Sequence, residues 1–194
     1  MSEINFDGRW IMPGLKFLNA GQRGFMPVMA NDELRAPPPI AILRGKPEIM
    51  RVLQAEFAGV ERQEKTCCIA FAKPAPVDSV AEHDLMAAVG DRFSRSLRPY
   101  DGLLAFEPDL YLIALPHIAE EDTLTVMTRL RGVIVNSPVS IANIGEVSVN
   151  LSIGGTMMDA SHSLVSNIEH AGRALMLAAR GNGVHLWSSE VDGA

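Results

Sequence analysis

RPYDGLLAFEPDLYLIALP, residues 98–116, decides how the rest of the chain is read. Two apolar runs, Leu103-Leu104-Ala105-Phe106 and Leu110-Tyr111-Leu112-Ile113-Ala114-Leu115, flank a short polar turn, which is the pattern of a β-hairpin. The turn, Glu107-Pro108-Asp109, is unusual. Tight hairpin turns favour Gly, Asn or Asp where φ is positive, and proline has no N–H for a ladder or a ligand. Just before the hairpin, Arg98 and Asp101 flank Pro99-Tyr100.

Working outward, helical and strand patterns alternate around this hairpin. On its N-terminal side, Lys46-Pro47-Glu48 suits a helix start, with Ile49, Val52, Leu53 and Phe57 at helical spacing. Residues 66–72 (TCCIAFA) read as a buried strand. Asp78-Ser79 is expected to cap a helix whose apolar face is Leu85, Met86, Val89, Phe93 and Leu97, stopped by Pro99. Beyond the hairpin, Glu120-Glu121-Asp122 places carboxylates at the positive end of a helix with Leu124, Met127 and Leu130 inward. Strands are expected over 139–142 and 147–153, with Asn143-Ile144-Gly145 turning between them. A last helix carries Leu164, Ile168, Ala171, Leu175 and Ala178, is closed by Gly181-Asn182-Gly183, and precedes a strand over 184–187. This alternation, antiparallel hairpin included, predicts an α/β (α+β) domain with one sheet and helices on its faces.

The first forty residues differ. They are rich in Gly, Pro and Met and end in Ala36-Pro37-Pro38-Pro39, whose prolines favour an extended segment. The chain is therefore divided into an arm, residues 1–39, expected to pack on the domain or on a partner, and a domain over 40–194. A hydrophobic fraction of 47% with 21% charged residues belongs to a globular protein rather than a disordered one. The net charge of −6 argues against non-specific nucleic-acid binding. No apolar run has the length of a membrane span and the N-terminus lacks a signal pattern, so the expected location is the cytoplasm. The two cysteines, Cys67 and Cys68, are neighbours in a strand and point to opposite faces, which argues against a disulfide between them. The five histidines show no metal spacing.

The order helix, strand, helix, R-x-x-D, hairpin, helix, S-I-G strand, helix, G-N-G strand resembles the GGDEF domain of diguanylate cyclases. Leu43-Arg44-Gly45, Leu97-Arg98 through Asp101, Ala114-Leu115-Pro116, Leu151-Ser152-Ile153-Gly154 and the Ala-Leu pair of the last helix carry the resemblance over about residues 40–190. It implies a central five-stranded mixed sheet surrounded by helices, related to nucleotidyl cyclases and polymerase palms.

Position by position, the resemblance also implies losses. The family's Gly-Gly-(Asp/Glu)-Glu-Phe turn is matched here by Glu107-Pro108-Asp109-Leu110-Tyr111, a degenerate signature. The family's metal-holding Asp-x-Asp is matched by Phe71-Ala72-Lys73, its Ala-Asp by Ala171-Gly172, and its phosphate-assisting Lys by Ala179. Two-metal phosphoryl transfer needs carboxylates for the ions and cations for the developing charge. The expectation is therefore a chain that is not an enzyme, with no catalytic residues, no metal site and no Mg²⁺ or other cofactor.

What the resemblance retains is the family's R-x-x-D product site, five residues (102–106) before the signature. It implies that Arg98 and Asp101 bind cyclic di-GMP, with Arg129 on the following helix completing the site and Arg95 and Arg131 as near alternatives. Arg92, Arg95 and Arg98 recur every three residues and form a basic stripe. The function expected is a cyclic di-GMP receptor, with a ligand-free protein-interaction scaffold as the alternative. The partners expected are cyclic di-GMP, a protein reached through the arm, and a second copy of the chain, with neither nucleic acid nor membrane.

Overall fold

The structure is a computed structural model that describes residues 46–192. The arm and Leu43-Arg44-Gly45 lie outside the described residues. The elements run α1 (Pro47–Glu61), β1 (Cys67–Pro74), α2 (Glu82–Ser96), β2 (Gly102–Glu107), β3 (Leu110–Pro116), α3 (Glu120–Val135), β4 (Val139–Ile141), β5 (Gly145–Val147), β6 (Leu151–Met157), α4 (Leu164–Arg180), β7 (Val184–Leu186) and α5 (Ser189–Asp192).

Strands β2-β3-β1-β6-β7 form a five-stranded sheet in that order. Three of its pairings are antiparallel and β6–β7 is parallel, so the sheet is mixed, as expected. β1 is central because Cys67-Cys68-Ile69-Ala70-Phe71-Ala72 is apolar on both faces and needs cover on both. Alternation then sorts its side chains. Cys68, Ala70 and Ala72 join Tyr111, Ile113 and Leu115 beneath Leu85, Val89 and Phe93 of α2 and Met127, Leu130 and Ile134 of α3. Cys67, Ile69 and Phe71 join Leu104, Phe106, Leu110 and Leu112 beneath Ile49 and Leu53 of α1 and Ile168 and Ala171 of α4. The two thiols thus face opposite cores, and burial pushes both upward, Cys67 to about 12.

α4 approaches β6 closely because Gly154 has no side chain. A Cβ there would stand 1.9 Å from the Leu175 backbone nitrogen. α1 carries Pro47 in its first turn, and the Ser163 side chain accepts from the Ser166 N–H to cap α4.

Two sequence expectations are corrected. Asp78-Ser79 does not cap α2, whose N-cap is Ala81 with no side-chain hydrogen bond. Ser79 instead has φ 66 in a turn closed by the Val80 N–H on the Val77 carbonyl, so its backbone points away from a helix entry. The strand expected over 147–153 is two strands. Val147 pairs with Val139 in a separate two-stranded hairpin, and β6 starts at Leu151 and runs through Gly154 and Gly155 to Met157. Asn150 makes the break: its carbonyl accepts from the Ala75 N–H while its Oδ1 accepts from the Leu151 N–H.

The β2–β3 turn is explained by its register. None of Glu107, Pro108 and Asp109 takes a positive φ, and the pairing shifts between Ala105 and Glu107. The irregularity absorbs the twist that a glycine turn would otherwise supply. No helix among the described residues is long and apolar enough to cross a membrane.

Candidate functional site

The candidate site lies at the end of the hairpin opposite its turn. Leu97 leaves α2 in an extended conformation, and residues 98–101 form a turn closed in both directions. The Asp101 N–H donates to the Arg98 carbonyl at 3.0 Å, and the Arg98 N–H donates to Asp101 Oδ2 at 2.7 Å. β3 ends beside this turn with Leu115 and Pro116, and α3 brings Val126 and Arg129. Arg98, Asp101, Leu115, Pro116, Ile118, Val126 and Arg129 line one small surface depression. Arg98 and Asp101, three residues apart in this turn, are thus met by Arg129 from α3.

The electrostatics are lopsided. Desolvation raises the Asp101 carboxyl above its ordinary value, against the Arg98 N–H and the charges of Arg98 and Arg129, which pull it down. Arg98 and Arg129 are exposed, and Arg129 has neither hydrogen bond nor salt bridge among the described residues. The depression presents two guanidinium groups for one half-buried carboxylate.

The other arginines go elsewhere. Arg95 pairs with Asp91 one helical turn away at 2.7 Å, exposed to solvent. Arg131 donates to the Leu151 carbonyl at 2.9 Å and to Asn150 Oδ1 at 3.2 Å, tying α3 to the start of β6. Arg92 donates to the carbonyls of Val133, Ser137 and Pro138 and so closes the C-terminus of α3. The stripe is thus divided among three tasks, because a long flexible side chain goes to the nearest unsatisfied acceptor. Sequence reading passed over Tyr100, whose hydroxyl accepts from Arg98 Nη1 at 3.2 Å and whose ring lies edge-on to His117 at 6.4 Å. The available signal was an aromatic residue standing between two charged positions.

At the turn end, Lys73 Nζ stands 2.6 Å from Asp109 Oδ2. Leu110 and Tyr111 enter opposite cores, and the Tyr111 hydroxyl donates to the Met86 carbonyl. The divalent ions that the fold family implies do not fit Phe71, Lys73 and Asp109. The first is apolar and buried, and the ammonium of the second already occupies the carboxylate of the third. Among the described residues no group of three or more His, Cys, Asp or Glu is placed to hold a metal ion.

No family model matches the chain. Over 110 residues it is 26% identical to the diguanylate cyclase DosC of Escherichia coli K12, a match that covers 56% of this chain and 24% of that protein. The fold is similar to the GGDEF domain of DgcB from Caulobacter crescentus, solved in complex with c-di-GMP, with a TM-score of 0.62 and 16% identity. That likeness covers 73% of this chain and 88% of the other. It is also similar to the diguanylate cyclase SiaD of Pseudomonas aeruginosa, solved with its activator SiaC. There the TM-score is 0.59 and the identity 19%, over 71% of this chain and 55% of SiaD.

These relatives correct the expectation that the chain is not an enzyme, since they are diguanylate cyclases and point to an enzyme. That expectation rested on a handful of positions, whereas the sequence likeness extends over 110 residues and the fold likeness over 73% of the chain. Residues 46–192 have the fold of a GGDEF domain, and the sequence relatives of the chain are diguanylate cyclases.

Proposed function

We propose that this chain binds cyclic di-GMP in the depression formed by Arg98, Asp101 and Arg129, and that occupancy of this site is the signal it passes on. The observation that carries the reading is the meeting of two exposed guanidinium groups with one half-buried carboxylate, brought together from the turn before β2 and from α3. Each phosphodiester of the ligand is anionic, and planar guanidinium groups both pair with phosphates and stack on bases. Asp101 turns one oxygen to the Arg98 N–H, which leaves Oδ1 to accept from the N–H edge of a guanine. The solved complex of the DgcB domain with c-di-GMP supports the ligand class.

The site is remote from the hairpin turn. β2 has six residues, so the two ends of the hairpin are about 20 Å apart, and a ligand at one end acts on the other only through the sheet.

Titration calorimetry tests this reading. The full chain should bind cyclic di-GMP at low-micromolar or tighter dissociation constant, about 8 kcal/mol. Arg98→Ala should nearly abolish binding, whereas Arg95→Ala, which removes only the pair with Asp91, should leave it intact. Affinity should fall as salt is raised, since phosphate pairing at an exposed site is screened. A wild-type chain that gives no heat at about a hundred micromolar ligand, a concentration well above the expected constant, would end the proposal.

A further inference from the structure

Tyr100 is the one aromatic among the large apolar side chains exposed in the described residues, and it stands between Arg98 and Asp101. Tyr100 is 53% exposed. It is nevertheless held. The Arg98 guanidinium, 5.9 Å from the ring centroid, donates to the hydroxyl, and the His117 ring meets the tyrosine ring at an interplanar angle of 81°. His117 is itself anchored, with its N–H on the Thr66 carbonyl at 2.8 Å and a left-handed backbone, φ 56, that turns the chain from β3 toward α3.

A solvent-facing aromatic held against the Arg98 guanidinium, and next in the chain to Asp101 of the depression, has the composition of a base-stacking platform. Few side-chain torsions remain to be frozen on binding, because two neighbours already restrain them. We infer that Tyr100 is the stacking residue of the site: its ring packs against a guanine face of cyclic di-GMP, while its hydroxyl holds the Arg98 guanidinium in reach of a phosphate. This inference rests on the cyclic di-GMP reading above and adds a residue to it. It divides the labour as stacking by Tyr100, phosphate pairing by Arg98 and Arg129, and guanine-edge recognition by Asp101.

The test is calorimetry and NMR on the full chain with cyclic di-GMP. Tyr100→Ala should weaken binding about tenfold, as loss of one base–aromatic stack does. Tyr100→Phe keeps the ring and should stay within about threefold of wild type, since the one hydrogen bond it loses, from Arg98, is long and exposed to water. The chain has two tyrosines and Tyr111 is buried, so a nuclear Overhauser effect between guanine H8 and tyrosine ring protons reports Tyr100. It should appear in wild type and in Tyr100→Phe through the phenylalanine ring, and vanish in Tyr100→Ala. If Tyr100→Ala binds as wild type while Arg98→Ala does not bind, the stacking assignment is wrong and the site stands. If Tyr100→Phe is as weak as Tyr100→Ala, the hydroxyl acts and the ring does not, which also overturns the assignment. If wild type does not bind at all, both fall together.

Discussion

The two ends of the β2–β3 hairpin share one pair of strands and differ in how they settle charge. At the turn, Lys73 and Asp109 arrive one against one and neutralise each other at 2.6 Å. At the far end, Arg98 and Arg129 converge on the single carboxylate of Asp101, leaving positive charge over. Among the described residues the first arrangement is balanced, whereas the second has more cations than carboxylates. Charge left over beside a depression, rather than the presence of charge, is what distinguishes a candidate binding site from a solvated surface pair.

The largest expected effect tests whether the two ends are mechanically one unit. Tyr111 lies between them, its ring edge-on to Phe93 at 5.9 Å and its hydroxyl, pushed up to about 12 by burial, on the Met86 carbonyl. Tyr111→Ala should cost about 3–5 kcal/mol in urea unfolding, as for other buried large aromatics. A loss below about 1 kcal/mol, the scale of an exposed substitution, would mean the hairpin is not anchored there.

Next in size is Arg129→Ala, which removes a cation that makes no hydrogen bond or salt bridge among the described residues. It should weaken cyclic di-GMP binding by about 2 kcal/mol, the lower end for truncating a charged partner. Unfolding stability should not change, because no hydrogen bond is broken. Equal affinity in the variant would show that α3 contributes nothing to the depression.

Lys73→Ala sharpens the contrast from the turn end. The pair it breaks is half-exposed, so stability should fall by about 0–1 kcal/mol, and ligand affinity at the far end should be unaltered. A change in affinity there would show that the two ends are coupled electrostatically after all.

The smallest effect is a pH dependence. The Asp101 carboxyl is raised in the folded chain, so the folded state holds this proton more tightly than the unfolded one. Its contribution therefore favours folding as pH falls through the range just above the ordinary carboxylate value, and is withdrawn as pH rises through it. Asp101→Asn should remove this slope, read as the difference between wild-type and variant melting temperatures across acidic pH. An unaltered slope would place the proton elsewhere.

Legibility in the sequence followed the range of the interaction. β1, β2, β3 and the apolar faces of α2 and α4 were readable because periodicity is local and the cores enforce it over many residues. The Asp78-Ser79 cap misled because a capping residue works only if its own backbone points into the helix, and Ser79 adopts φ 66 instead. The division of 147–153 was invisible because Val147 and Leu151 have the same chemistry and differ only in which strand they meet. The expectation of a non-enzyme failed for a different reason: it weighed single positions, whereas the likeness to a diguanylate cyclase extends over 110 residues.

By itself, the sequence determined the alternation of elements, the hairpin, one sheet with helices on its faces and the spacing that sets Arg98 three residues before Asp101. Only the tertiary structure decided which arginines are left for a ligand. Arg92, Arg95, Arg98, Arg129 and Arg131 are chemically identical, and each guanidinium ends a long flexible stem that takes whatever acceptor the fold brings near. Arg95 takes Asp91 from its own helix, whereas the fold brings carbonyls to Arg92 and Arg131 and sets Arg98 and Arg129 around one depression with Asp101.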